Sequence, residues 1–373
     1  MRILLKNANV LPITSENIDC CDVLVENEII VNINRNIEPD RECHIIECDN
    51  NLLLPGFIDA HTHLGLYDEG TGWAGNDANE TVEPMTPHIR SIDGIHSLDI
   101  AFEDAIRYGV TAAHVMPGSS NVIGGTTCVI HTHGGNISKM LIRETAGLKV
   151  ALGENPKRIH SHGNDQSLTR MGIMGMLRET FYNAYRDNSD DFRIASIKKA
   201  LNREIPVRIH AHRADDILSA VRFADEFNLD LRIEHCTEGH IVVNELKDRN
   251  LQVSVGPTLN RKSKIELKNK TWKTYEILTS NGIDVSITTD HPYTPIQYLN
   301  VCAALACREG LSYKKALEGI TILPAKNLGV DNLIGSIEID KLADLVLWDN
   351  NPLSFNAKPI FTMIRGQIVY RKR

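Results

Sequence analysis

The sequence predicts an α/β protein, a (β/α)8 TIM barrel flanked by β-rich segments at both ends. Three observations predict it. Apolar strand-like runs alternate with helical stretches through the middle of the chain, the pattern of parallel strands buried on both faces. Eight such runs fall within about 270 of the 373 residues, a length that suits a barrel of this class. Both ends are β-rich instead, with turn residues between short runs and no helical period.

In chain order, the N-terminal runs are 3–10, 22–26, 28–33 and 44–47. The barrel runs are 56–61, 110–116, 127–131, 148–152, 207–209, 231–233, 252–255 and 284–288. Helical patterns occupy 97–108, 171–185, 215–227, 241–249, 295–308 and 313–323. The β pattern returns at 336–338, 344–348, 361–364 and 367–370. The implied division is a β-rich segment over 1–53, barrel over 54–330 and a β-rich segment again over 331–373. A doubly wound open sheet would need a phosphate-binding loop after its first strand, and PGFIDAHTH contains none.

Composition narrows the function. Apolar residues are 42% and charged residues 24%, the profile of an ordinary globular protein. A net charge of −8 argues against a broad nucleic-acid or anionic-membrane surface. The start, MRILLKNANVLPIT, lacks the apolar core of a signal peptide, and no run of about 18 apolar residues spans a membrane. The eight cysteines are scattered, and Cys43 and Cys48 have the wrong spacing for a zinc knuckle. The expectation is a cytoplasmic protein with reduced thiols.

The chemistry sits at the ends of the runs. His61 and His63 follow the first barrel strand, and residues two apart on a strand share a face, so their imidazoles can meet on one ion. The same His-x-His spacing recurs at His131/His133 and His210/His212, so no single pair decides. Position does. His210 ends the fifth run, His235 the sixth and Asp290 the eighth, and the C-terminal ends of parallel barrel strands share one mouth. Such nitrogen and oxygen ligands suit a borderline divalent ion such as zinc.

PGFIDAHTHLG, the histidines after strands five and six, and TTDHP after strand eight together resemble the amidohydrolase superfamily, in its imidazolonepropionase-like and prolidase-like branch. The resemblance covers nearly the whole chain. It implies that the two β-rich ends form a small β-sandwich domain, a site holding one or two divalent ions, and no interface signature beyond the branch's habit of forming homo-oligomers. IGSIEIDKLADLVLWD is similar to the family's return into the sandwich, with Asp340 where a glycine is usual; Asp tolerates φ > 0 better than most residues.

Many relatives bridge two metals with a carboxylated lysine at the end of strand four. Lys149 is read here as lying at the start of that strand and pointing to the wrong end, so Glu154 is assigned as a ligand, with a loop glutamate paired to Lys157 or Arg158 as the alternative. His210 precedes a small residue as the ligand does in relatives, leaving His212 as a supporting or substrate contact. The resemblance thus implies His61, His63, Glu154, His210, His235 and Asp290 as metal ligands, and Asp290 as general acid/base. Ring deaminases of the family show His-x-x-Glu after strand five; here Arg213 stands at the glutamate position. This favours hydrolysis of a small amide or cyclic amide over deamination or a non-catalytic scaffold, with Arg213 as a candidate for a substrate carboxylate or phosphate.

Overall fold

The computed structural model describes residues 1–161 and 168–372. Two eight-stranded sheets organise them. The first contains β1 (Arg2–Val10), β2 (Ile18–Glu26), β3 (Ile29–Asn34), β4 (Cys43–Glu47) and β5 (Leu52–Pro55). The second runs in chain order through β6 (Phe57–Thr62), β7 (Val110–Val115), β8 (Ile123–His131), β9 (Leu141–Ala151), β10 (Val207–Ala211), β11 (Leu231–His235), β12 (Gln252–Val255) and β13 (Asp284–Ile287). The chain then returns to the first sheet with β14 (Leu345–Trp348), β15 (Pro359–Ile364) and β16 (Gln367–Arg371).

The second sheet curls into a nearly closed barrel. Its edges meet where Thr62 bridges His291, with His63 N–H donating to the His291 carbonyl at 2.9 Å and Asp290 N–H to that of His61 at 3.1 Å. Beneath this seam, Asp59 accepts from the Thr288 and Thr289 hydroxyls, both at 2.5 Å. Burial pushes the Asp59 carboxyl up to about 6, against the pull of these donors.

One strand departs from expectation. β8 runs antiparallel to both β7 and β9. A parallel crossover needs a dozen or more residues, and only residues 116–122 separate β7 from β8, so the chain can only double back. The C-terminal end of β8 therefore lies at the foot of the barrel. His131, read from sequence as a mouth or packing residue, sits there, with its Nε2 2.9 Å from Asp344 Oδ2.

Helices cover the barrel with their apolar faces. Helix Ala214–Phe227 buries Ile217, Ala220, Val221 and Ala224 at helical spacing. Helix Arg170–Arg186 does the same with Ile173, Leu177, Phe181 and Ala184, and Thr169 caps it by accepting from the Gly172 N–H. The expected helix over 313–323 splits into Tyr313–Glu318 and Ile322–Leu328. The break presents the Gly319 and Ile320 carbonyls to the Ile287 and Ile58 N–H groups, both at 2.8 Å.

Both termini meet in the first sheet, where β14 joins β5 antiparallel and β5 joins β1 parallel. Ile3, Leu5, Val23, Val25, Leu345, Phe361 and Met363 share its core. The expected run 336–338 forms no strand but leads into the turn at 339–340, with Ile337 buried and Lys341 donating to Ser336 at 2.5 Å. Asp340 takes φ 71° there, the left-handed conformation its sequence position called for. The sheet seats on the barrel through Phe57 stacked on buried Trp348, ring centroids 5.3 Å apart.

Candidate metal centre

Strand ends deliver the site. His61 lies in β6 with His63 just beyond it, His210 lies in β10 with His212 just beyond it, and His235 closes β11. Asp290 follows β13 by three residues. All six are buried. The period of two explains each pair: His61/His63 and His210/His212 face the same way.

Hydrogen bonds orient the rings. His61 Nδ1 lies 2.7 Å from Glu234 Oε2, His63 Nδ1 2.8 Å from the Met116 carbonyl, and His235 Nδ1 2.7 Å from the Gly256 carbonyl. An imidazole that donates from Nδ1 keeps a lone pair on Nε2, the arrangement of a metal-ligating histidine. The Nε2 atoms of His61 and His63 lie 3.4 and 3.3 Å from Asp290 Oδ1. His212 Nδ1 meets Thr237 Oγ1 at 2.7 Å. Neither ring nitrogen of His210 has a protein partner, and Asp290 Oδ1 has no hydrogen-bond donor. Two groups result, His61/His63/Asp290 and His210/His212/His235, each with ligand atoms within 4.8 Å of one another. The His61 and His235 ring centroids, 4.5 Å apart, join them.

Electrostatics suits cation binding. Burial holds His61, His210 and His212 well below the usual imidazole range, and His235 at about 4, so the rings are neutral near pH 7. Burial opposes charge on Asp290, yet the rings of His63, His235 and His61 beside it hold its carboxyl down at about 2. Backbone strain gathers here too. His235, Cys236 and Asp290 have φ of 72°, 43° and 53°. Positive φ in such residues persists only where the surroundings enforce it, typically at functional sites. Gly256 makes one support possible: at φ 146° any Cβ would fall 2.2 Å from the Thr288 carbonyl oxygen.

A profile of the amidohydrolase family matches residues 173–369, more than half of the chain. The chain belongs to the amidohydrolase family. The crystal structure of an amidohydrolase from Thermotoga maritima MSB8 superposes on this amidohydrolase with a TM-score of 0.95, 38% sequence identity, and coverage of 99% of this chain and 100% of that one. Among curated relatives, amidohydrolase TasK of Hapsidospora irregularis is 29% identical over 92% of this chain, which spans only 39% of that protein's length. Imidazolonepropionase of Picrophilus torridus is 25% identical over 88% of this chain and 85% of its own. Imidazolonepropionases stand among its curated relatives, the resemblance that the motifs carried.

Within this amidohydrolase, the structure redistributes several residues singled out from sequence. Glu154 joins neither group. The chain leaves β9 at Ala151, turns at Gly153 and enters helix Glu154–Ile159, where the Glu154 N–H donates to Glu266 Oε2 at 3.0 Å. Lys149 takes the central place instead. β9 begins at Leu141, so Lys149 stands near its C-terminal end. The buried Lys149 ammonium lies 3.5 Å from His61 Nε2 and 3.0 Å from Met116 Sδ. Burial pulls its pKa down to about 8, against the fields of Glu234 and Asp290.

Arg213 pairs with a neighbour in sequence. Its guanidinium forks onto Asp215 at 2.9 and 2.8 Å, and its side chain is 39% exposed. His212, expected as a supporting or substrate contact, packs against His210 and His235, with its ring centroid 4.5 Å from that of His235. Sequence reasoning missed Glu234 and Arg208, both fully buried beneath His61. Their signal was present: Arg208 precedes His210 by two and Glu234 precedes His235 by one, charges inside runs that were otherwise apolar.

Proposed function

We propose that this amidohydrolase hydrolyses the C–N bond of a small amide or cyclic amide, with Asp290 as general acid/base and zinc as the metal. One observation carries the reading: buried neutral imidazoles and one carboxylate converge with their lone pairs facing inward. The donor set fits a divalent ion, because His210 is buried with both nitrogens unsatisfied and Asp290 Oδ1 lacks a donor, a costly arrangement unless a cation fills it. His61, His63 and Asp290 would hold one ion, and His210 and His235 a second. A bound zinc ion supplies a lowered water pKa and polarises a carbonyl oxygen.

The chain's own groups do the rest. Asp290 accepts the proton of the attacking water and returns it to the leaving nitrogen as the C–N bond breaks and a C–O bond forms. Its positive φ and its seam contacts hold the carboxylate toward His61 and His63. Lys149, in place of Glu154, is the group we assign between the two clusters. Its amine adds to carbon dioxide, forming an N–C bond and releasing one proton, and the carbamate offers two oxygen donors. Amide hydrolysis is favoured over ring deamination because Arg213, at the position of the deaminases' glutamate, is paired with Asp215.

The test is elemental analysis of chelator-free protein, followed by a panel of dipeptides, N-acyl amino acids and cyclic amides. Zinc near two ions per chain with amide turnover supports the reading. No divalent metal after reconstitution, or ammonia release from amino-heterocycles with no amide turnover, overturns it.

A further inference from the structure

We propose that Glu234, held by Arg208, locks His61 as its Nδ1–H tautomer and so keeps the Nε2 lone pair aimed into the metal site. The purpose of the lock rests on the metal reading above; the lock itself does not.

The two charged side chains lie on neighbouring strands, and both are fully buried. Arg208 donates from Nη1 to Glu234 Oε1 at 3.0 Å and to Asn327 Oδ1 at 3.0 Å. Its Nη2 reaches the Asn327 carbonyl at 2.8 Å and its Nε the Ala146 carbonyl at 3.1 Å. Space for the guanidinium comes from Gly147, where a Cβ would fall 2.8 Å from Arg208 Cδ. The other carboxylate oxygen, Oε2, lies 2.7 Å from His61 Nδ1.

Proton logic then leaves one arrangement. Arginine is always a donor, so Glu234 beside it is an ionised acceptor. The proton between Glu234 and His61 must sit on Nδ1, which leaves Nε2 as an acceptor. In the metal-free chain, before any carbon dioxide is added, Lys149 agrees from the other side: its ammonium, which can only donate, lies 3.5 Å from that Nε2. A buried ion pair is a poor source of stability, since apolar residues of similar volume often do as well. Its position directly under a ligand histidine gives it a purpose that packing does not. Glu234 is thus a positioning residue; it acts through His61.

Glu234→Gln separates this role from simple packing. Arg208 requires an acceptor, so the glutamine oxygen faces Arg208 and its NH2 faces His61 Nδ1. That forces the proton to Nε2, the atom facing the metal site. In full-length protein with ¹⁵N-labelled histidine, long-range ¹H–¹⁵N spectra should show His61 as Nδ1–H in metal-free wild type and as Nε2–H in Glu234→Gln. Competition with a chelator should show zinc held roughly 10–100-fold more weakly by the variant, the usual loss for such a supporting carboxylate. Glu234→Gln strands a buried arginine, so the double variant Arg208→Met/Glu234→Gln, which removes both charges, keeps the test decisive where the single variant fails to fold; it should lose the single-tautomer signal and the zinc affinity alike. An unchanged Nδ1–H tautomer in folded variants overturns the lock. Unchanged zinc affinity in variants whose tautomer has shifted overturns its purpose alone. A wild type that binds no zinc overturns the metal reading, and its metal-free spectrum still decides the tautomer.

Discussion

Asp290 combines strain, burial and an unsatisfied oxygen. Asparagine adopts left-handed φ as readily as aspartate, so Asp290→Asn keeps the backbone while removing the proton acceptor. On any amide the wild type cleaves, kcat/KM should fall roughly 10²–10⁴-fold, the usual yield of general acid–base catalysis. Near-normal turnover in a folded variant would remove Asp290 from that role. The two adjacent histidines can be told apart in the same way. His210 has both nitrogens free, whereas His212 is tied to Thr237. His210→Asn should therefore release one metal ion per chain by elemental analysis, while His212→Asn retains it; the reverse result would exchange their roles.

Strands and loops decide which of these residues meet, and their limits explain what the sequence could reveal. His61, His63, His210, His235 and Asp290 were legible because each ends an apolar run and period two fixes the face it shares. Lys149 was not: the polar residues Arg143, Glu144 and Thr145 hid the first half of β9, so the strand was started too late and its lysine was placed at the wrong pole. Asp215, two residues on, pairs with Arg213 locally, a partner that strand-end position does not single out. The reversed β8 was concealed by periodicity, which carries no direction, and only the short loop before it betrayed the turn back. That reversal sets the link between barrel and terminal sheet. His131→Ala leaves Asp344 buried without this partner, so stability should fall by about 1–3 kcal/mol in urea titrations with metal content unchanged. Loss of metal along with stability would mean that the barrel foot and mouth are coupled. The loop after β12 invites a pH test. Lys270 donates to the Pro257 and Asn260 carbonyls, and burial, aided by Lys262, pulls its pKa down to about 8. An unfolded lysine titrates near 10.4, so between about pH 8 and 10.4 the unfolded chain binds more protons and stability should rise with pH on this group's account. Lys270→Met should lose that rise relative to wild type, whatever its absolute stability; parallel curves would show that Lys270 titrates normally.

The candidate ligands span residues 61–290, and the barrel's two edge strands supply one of the two groups. His61 and His63 come from β6 and Asp290 from beyond β13, so an ion there would staple the seam that closes the barrel. The protein's own contacts at this seam are few, chiefly Asp59 with Thr288 and Thr289 and a short row of backbone hydrogen bonds. Metal binding should thus stabilise the folded chain by mass action, by about 2.7 kcal/mol at a free zinc concentration 100 times its Kd. The gain should also be uneven in space. Native-state hydrogen exchange resolves this, because amides open through local as well as global unfolding. Chelator treatment should speed exchange of the His63 and Asp290 N–H groups, which donate across the seam. The β14–β16 amides lie in the other sheet, with a core of their own, and should exchange at an unchanged rate. Equal acceleration in both sheets would mean that metal stabilises the whole chain as one unit; no change at the seam would mean that the barrel closes without it.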